Sequence, residues 1–153
     1  MPAFFEALHL LQRAVTRLAA QRWTDDDLNE IRRCAQVYAD HAGDSDFRGT
    51  LERDQAIHLR IAEASRNPHL QGLYQRLLAM QMRLLLLYAH SHGGQDPELA
   101  DQTRSSVMEH KELIDALTMR DADTAERLAG EHTRIIRKRV AGFTSGELNM
   151  TVS

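Results

Sequence analysis

A chain of 153 residues, 42% hydrophobic and 27% charged, has room for one well-packed domain and not for two comfortable ones. Its formal charge of −3 argues against a general nucleic-acid surface, since affinity for phosphate comes largely from clustered Lys and Arg. A single cysteine, Cys34, excludes an internal disulfide and a multi-cysteine metal site. No charged-then-apolar leader opens the chain, and its most apolar run, Leu84 to Ala89, falls far short of the ~20 residues a membrane-spanning helix needs, so a cytoplasmic protein is expected. Aromatic residues make up only 5%, Leu and Ala dominate the apolar set, and Gly and Pro number 8 and 3, a balance that favours packed helices over a sandwich or barrel.

The first helix is predicted from Pro2 to about Arg22, with Phe5, Leu8, Leu11, Val15 and Leu18 inward. Thr24 before three aspartates is a strong start for a second helix reaching about Ala42, because the hydroxyl caps and the carboxylates face the positive end of the helix dipole. Gly43 stops it, and Asp44 or Ser45 is expected to cap a third helix. Asn67-Pro68 is the sharpest boundary, since Asn caps well and Pro suits a first helical position. The fourth helix is expected to turn Leu70, Leu73, Leu77, Leu84 and Leu87 inward and to fray over His90 to Gly94, the only long flexible connection. Asp96-Pro97 opens a fifth helix ending near Arg120. Asp121 or Asp123 caps a sixth, running to about Ala141. The expected fold is all-α, a six-helix antiparallel bundle over residues 1–142 with a central metal or ligand pocket, followed by a weakly ordered tail, 143–153.

The third helix contains an anomaly. Phe47, Leu51, Asp54, His58, Ile61 and Ser65 step by four and three along one face, which puts a carboxylate in the apolar seam one turn from a histidine. An unpartnered buried carboxylate costs several kcal/mol, so a partner is required. The fifth helix has His110 at the centre of the stripe Leu99, Thr103, Ser106, His110, Leu113 and Leu117. The sixth has His132 at the centre of Ala125, Leu128, His132 and Ile135. One Asp and three His complete a set of O and N ligands for a divalent first-row metal, and bundles place such sites between facing helices. Each residue alone has an ordinary reading, a satisfied core histidine or an Asp54 paired with Arg53, Arg60 or Arg83; the coincidence of four favours metal. His9, His41, His69, His90 and His92 fall off the stripes or at helix ends and are excluded.

With the site laid out, the chain resembles the FCD domain, the ligand-sensing C-terminal half of the FadR subgroup of GntR-type bacterial transcription regulators. The resemblance is carried by FFEALHLLQRAVTRLAA at the start, DQAIHLRIAEASRNPHL in the middle, and MEHKELIDAL with RDADTAERLAGEH towards the end. It implies a six-helix bundle that binds a small organic acid, often over a divalent metal held by one Asp and three His. By position these are Asp54, His58, His110 and His132, the four that the stripes select independently. Two departures stand out. The family usually places a winged helix-turn-helix domain before this bundle, and this chain begins with the bundle, so contact with DNA is expected only through a domain absent from it. Where similar proteins show E-x-R-x-x-L-E in the first helix, Leu8 and Gln12 replace the Arg and the second Glu.

The expected function is therefore effector sensing without chemistry. A dication with one carboxylate leaves a net charge of about +1, which attracts a small carboxylate or hydroxy acid. The effector is expected to touch the fourth helix at Gln81 or Arg83. The ligand set suits Zn, Ni, Mn or Fe without distinguishing them. Apolar residues on more than one side of the fourth helix, Leu85 and Leu86 among them, point to a homodimer. The basic run Arg134 to Arg139 reads as a solvated last-turn face. One alternative is a bundle metallohydrolase, which lacks an inward general base because Glu109 and Glu131 precede ligands and should point elsewhere. The other is a metal-free dimeric interaction module with a buried polar network.

Overall fold

The computed structural model describes the backbone of residues 2–91 and 97–150, and side chains over 3–91 and 101–138. Across the described residues the chain folds into six helices: α1 (Pro2–Arg22), α2 (Asp25–Asp40), α3 (Phe47–Ala64), α4 (Pro68–Ser91), α5 (Pro97–Thr118) and α6 (Ala122–Met150). The all-α expectation holds, and the boundaries follow from local chemistry. Thr24 and Asp27 form a reciprocal capping box at the start of α2: Thr24 Oγ1 accepts from the Asp27 amide at 3.3 Å, and Asp27 Oδ2 accepts from the Thr24 amide at 2.9 Å. Asn67 Oδ1 caps α4 by accepting from the Leu70 amide at 3.1 Å. Asp121, rather than Asp123, caps α6 by accepting from the Thr124 amide at 3.1 Å.

Two boundaries differ from the sequence reading. The cap of α3 is Asp46, not Asp44 or Ser45; its carboxylate accepts from the Gly49 amide at 3.0 Å. A Cβ at position 49 would strike that carboxylate, so the residue three places on, a glycine, selects among three candidate caps in a row. α6 continues to Met150, through the start of the expected tail at 143. No proline interrupts that stretch, and its glycines only weaken a helix. The exposed Arg134, Arg137 and Lys138 therefore lie in mid-helix, where the dipole argument for a last turn lapses. The connection over 92–96, with the expected cap Asp96, lies outside the described residues.

Helices α2 and α3, α3 and α4, and α5 and α6 pack as neighbours joined by short connections, which requires antiparallel pairs. α1 lies along α6, where Gly130 lets α1 approach closely: a Cβ there would come within 3.1 Å of His9. Two arginines fasten the corner between α1 and α2. Arg66 and Arg120 follow α3 and α5 with φ of 55° and 54°, a left-handed conformation costing about 1–2 kcal/mol for a residue with a Cβ. Arg66 pairs with Asp27 at 2.6 Å, and Arg120 donates to the Trp23 carbonyl at 2.9 Å with its guanidinium 3.7 Å over the indole, contacts that offset the strain.

α3 is the axis of the fold. Its Ile57 and Ile61 join one core cluster with Ile31, Cys34, Tyr38, Leu113 and Leu117, while its Ala62 joins a second with Phe5, Leu8, Val15, Tyr74, Leu78 and Leu85. α4 departs from expectation in part: it buries Tyr74, Leu78, Gln81, Leu85 and Tyr88, keeps the expected Leu70, Leu77 and Leu84 partly buried against the second cluster, and leaves Leu73 and Leu87 outside, 50% and 58% exposed. On α6, Ile135 is exposed, and the stripe that packs inward runs through Ala125, Ala129, His132 and Thr133. On α1, Gln12 and Thr16 are buried beside the apolar residues; Gln12 Oε1 accepts from Thr133 Oγ1 at 3.1 Å.

Candidate metal centre

Three helices aim one polar cluster at a common point. α3 supplies Asp54 and His58 one turn apart, α5 supplies His110 and α6 supplies His132; one ligand atom from each lies within 4.8 Å of all the others. The three imidazoles are buried, and their ring centroids are 5.1–5.6 Å apart. Asp54 Oδ1 is 3.0 Å from His110 Nε2, and Oδ2 is 3.6 Å from His58 Nε2. The arginines weighed as partners turn elsewhere: Arg53 towards Asp44, Arg60 to Glu63 at 3.0 Å, and Arg83 to solvent.

The electrostatics suit a cation. Burial works against the Asp54 carboxylate, yet the imidazoles of His58 and His110 hold it well below the usual carboxylate range. Burial lowers His58, and the neighbouring His132 and His110 reinforce that shift against the opposing pull of Asp54. The cluster thus holds one ionised oxygen donor beside an imidazole kept in its neutral, ligating form. His110 is 3% exposed, and neither of its ring nitrogens has an aligned hydrogen-bond partner despite the close carboxylate, an orphan that a metal would satisfy. By donor chemistry, spacing and burial, the four residues fit a divalent ion.

A cavity beside the cluster offers about 80 Å³ to water-sized molecules and is lined by Tyr38, Thr50, Asp54, Gln102, Thr103, Ser106, Glu109 and His132, with apolar walls including Leu51, Leu85 and Ile136. At ~10–15 Å³ per water on this measure, it suits a small ligand. Gln102 Oε1 is buried without a hydrogen-bond partner. Tyr38, which the sequence reading missed, stands edge-on to His110 with centroids 4.9 Å apart. Its phenol is raised by burial and by Asp54, against hydrogen bonds to Ser106 and Thr103. The spacing of Leu28, Ile31, Cys34 and Tyr38 along α2 carried the signal that could have found it.

Glu109 overturns an expectation. It points inward, pairs with His132 Nδ1 at 2.7 Å and borders the cavity. The inward arc of a core helix is about 100° wide, enough for two consecutive residues, 109 and 110, to share it. Glu131 does turn away, to Arg127 at 2.8 Å. Of the two residues expected to meet an effector from α4, Gln81 is buried and Arg83 exposed, and neither lines this cavity. The excluded histidines stay out of the cluster: His9 lies against α6, His41 Nδ1 sits 2.8 Å from the Val37 carbonyl, His69 and His90 are exposed, and His92 lies outside the described residues.

The FCD domain family matches this chain over residues 3–134. The chain belongs to the FCD family. Among similar proteins are the HTH-type transcriptional regulator YcbG of Bacillus subtilis, 26% identical over 92% of this chain and 54% of its own length, and the galactonate operon transcriptional repressor of Escherichia coli, 28% identical over 83% and 52%. The HTH-type transcriptional repressor NanR of Cronobacter sakazakii is 27% identical over 85% and 47%. The chain spans about half the length of these relatives, which are transcription regulators and not enzymes. It is an effector-sensing FCD domain of the GntR regulator type, with a candidate metal site built into its centre. Among the described residues no helix is long and apolar enough to cross a membrane.

Proposed function

We propose that Asp54, His58, His110 and His132 hold a divalent metal, and that the adjoining cavity binds a small hydroxylated carboxylic acid whose presence is reported to a DNA-reading domain. The observation that carries this reading is the convergence of one carboxylate and three buried imidazoles, His110 among them with Nε2 3.0 Å from Asp54 Oδ1 and no aligned hydrogen bond at either ring nitrogen. A bound dication would supply positive charge and open coordination positions for a carboxylate. The chain's own residues would do the rest. Thr50, Thr103, Ser106 and Tyr38 offer hydroxyls, and Gln102 offers a buried carbonyl, an arrangement suited to the hydroxyl groups of a sugar acid. That one relative is named for a galactonate operon supports the same class. A part for Gln81 or Arg83 would need the effector to extend beyond this cavity.

Sensing requires no reaction. An effector with different affinity for two arrangements of a regulator shifts their balance by that difference. A regulator of this kind would act in the cytoplasm and reach DNA through its winged helix-turn-helix domain. The outer face of α4 suits pairing with a second copy of this chain. Leu73, Met80 and Leu87 recur every seven residues along it and are exposed, flanked by Leu70, Leu77 and Leu84, which also pack against the chain's own core. That period matches a like helix packed against it in a two-fold homodimer.

Elemental analysis of the purified protein, with a thermal-shift screen of aldonates, uronates and smaller hydroxy acids on wild type and His110→Ala, tests the reading. Metal near one equivalent in wild type, its loss in the variant, and stabilisation by an acid only when metal is present are expected. Equal metal content in both would remove the site and leave a metal-free polar network. Metal-dependent hydrolysis of an ester or amide would restore the enzyme reading.

A further inference from the structure

The carboxylate of Glu109 does more than border the cavity. We infer that Glu109 is the positioning residue of the metal centre, fixing His132 so that Nε2 is the nitrogen presented to the ion. This rests on the reading of the four-residue cluster as a metal site. The contact joins α5 to α6: Glu109 Oε2 lies 2.7 Å from His132 Nδ1, and the two side chains are 30% and 9% exposed. A carboxylate accepts and does not donate, so the imidazole must carry its proton on Nδ1, which makes Nε2 the lone-pair nitrogen. Consecutive residues of α5 then serve two ligands: His110 binds directly, and Glu109 orients the ligand on the next helix.

The position of Glu109 has a second consequence. It borders the cavity beside Asp54 and also a smaller one, of about 70 Å³, lined by His110, Glu112 and His132 as well. With Asp54 and Glu109 both facing the centre, a dication brings the local charge to about zero rather than +1. An effector is then selected by its oxygens meeting the ion and the hydroxyl lining more than by net attraction, and a second carboxylate placed near Glu109 would be repelled. The centre thus favours a monocarboxylate over a dicarboxylate.

The test titrates metal-free protein with Zn²⁺ in competition with a chromophoric chelator, for wild type, Glu109→Ala and Glu109→Gln, with melting temperatures recorded before metal is added. Loss of an outer-shell partner typically costs about 10–100-fold in metal affinity, and that loss is expected for Glu109→Ala. Glu109→Gln keeps an acceptor oxygen and is expected to fall between, weaker than wild type by at least about threefold. A residue that merely clamps α5 to α6 would lower the metal-free melting temperature and leave zinc affinity within about twofold of wild type, which overturns the inference. If Glu109→Ala does not fold, Glu109→Gln decides: affinity equal to wild type overturns the role, and a loss supports it. No zinc binding by wild type would instead remove the metal reading itself. In metal-loaded Glu109→Gln, dicarboxylates should gain affinity relative to monocarboxylates; an unchanged ratio removes the selectivity claim.

Discussion

Helices α3 and α4 pack against each other, yet the inward stripe of α3 was legible from its sequence and that of the more apolar α4 only in part. On α3, the polar pair Asp54 and His58 interrupts the apolar positions and fixes the phase of the inward stripe, so Ile61 and Ser65 are buried and Phe47 and Leu51 pack partly buried against the core where the periodicity puts them. On α4, apolar residues lie almost all round. Two stripes satisfy the same period: of the expected Leu70, Leu73, Leu77, Leu84 and Leu87, the first, third and fourth pack at the edge of the core while Leu73 and Leu87 face out, and Tyr74, Leu78, Gln81 and Leu85 fill its centre. A costly residue informs more than a favourable one, because a buried carboxylate tolerates only one environment whereas leucine is accepted on either face.

The comparison is broken most directly at the ligands. His110→Ala should cost zinc affinity more than the ~10–100-fold of an outer-shell change, read by the same chelator competition. Retention of full affinity would mean that α3 needs no metal to excuse Asp54. Next in size is the core face of α4: Leu78→Ala should lose about 2–5 kcal/mol in denaturant unfolding, whereas Leu73→Ala, on the outer face, should stay within about 0.5 kcal/mol in a monomer. A reversed order would reinstate the stripe read from the sequence.

A smaller effect tests the capping box. Burial raises Asp27, but the Thr24 amide and Arg66 outweigh it and hold the carboxyl below its ordinary value. A group whose folded value is depressed stabilises above the unfolded pKa of about 4 and loses that stabilisation as pH falls through the folded value. Asp27→Ala should therefore cost about 1 kcal/mol at pH 7, and the gap from wild type should close in unfolding curves taken in strong acid. Smallest in energy, and decisive for assembly, is Met80→Glu. Its melting temperature in dilute solution should match that of a monomer, while light scattering should show the dimer lost; an undiminished dimer would place the second copy on another face.

Much of the site was readable before any coordinates, because each ligand sits at the centre of a stripe whose other members are apolar or small. Glu109 and Tyr38 were not. Glu109 precedes a ligand, which by helical spacing alone should turn it away, a rule that fails where an inward arc is wide. Tyr38 comes from α2, which contributes no ligand and meets the cluster only through packing on His110.

The order of the helices, their caps at Thr24 and Asn67, and the four ligand-type residues were determined by the sequence alone, since capping and periodicity are local properties of the chain. Which face of α4 lies inward, which of three adjacent residues caps α3, and which way Glu109 turns were decided only by tertiary structure. Each depends on what stands opposite: a second apolar helix, a glycine without a Cβ, and an imidazole on the neighbouring helix.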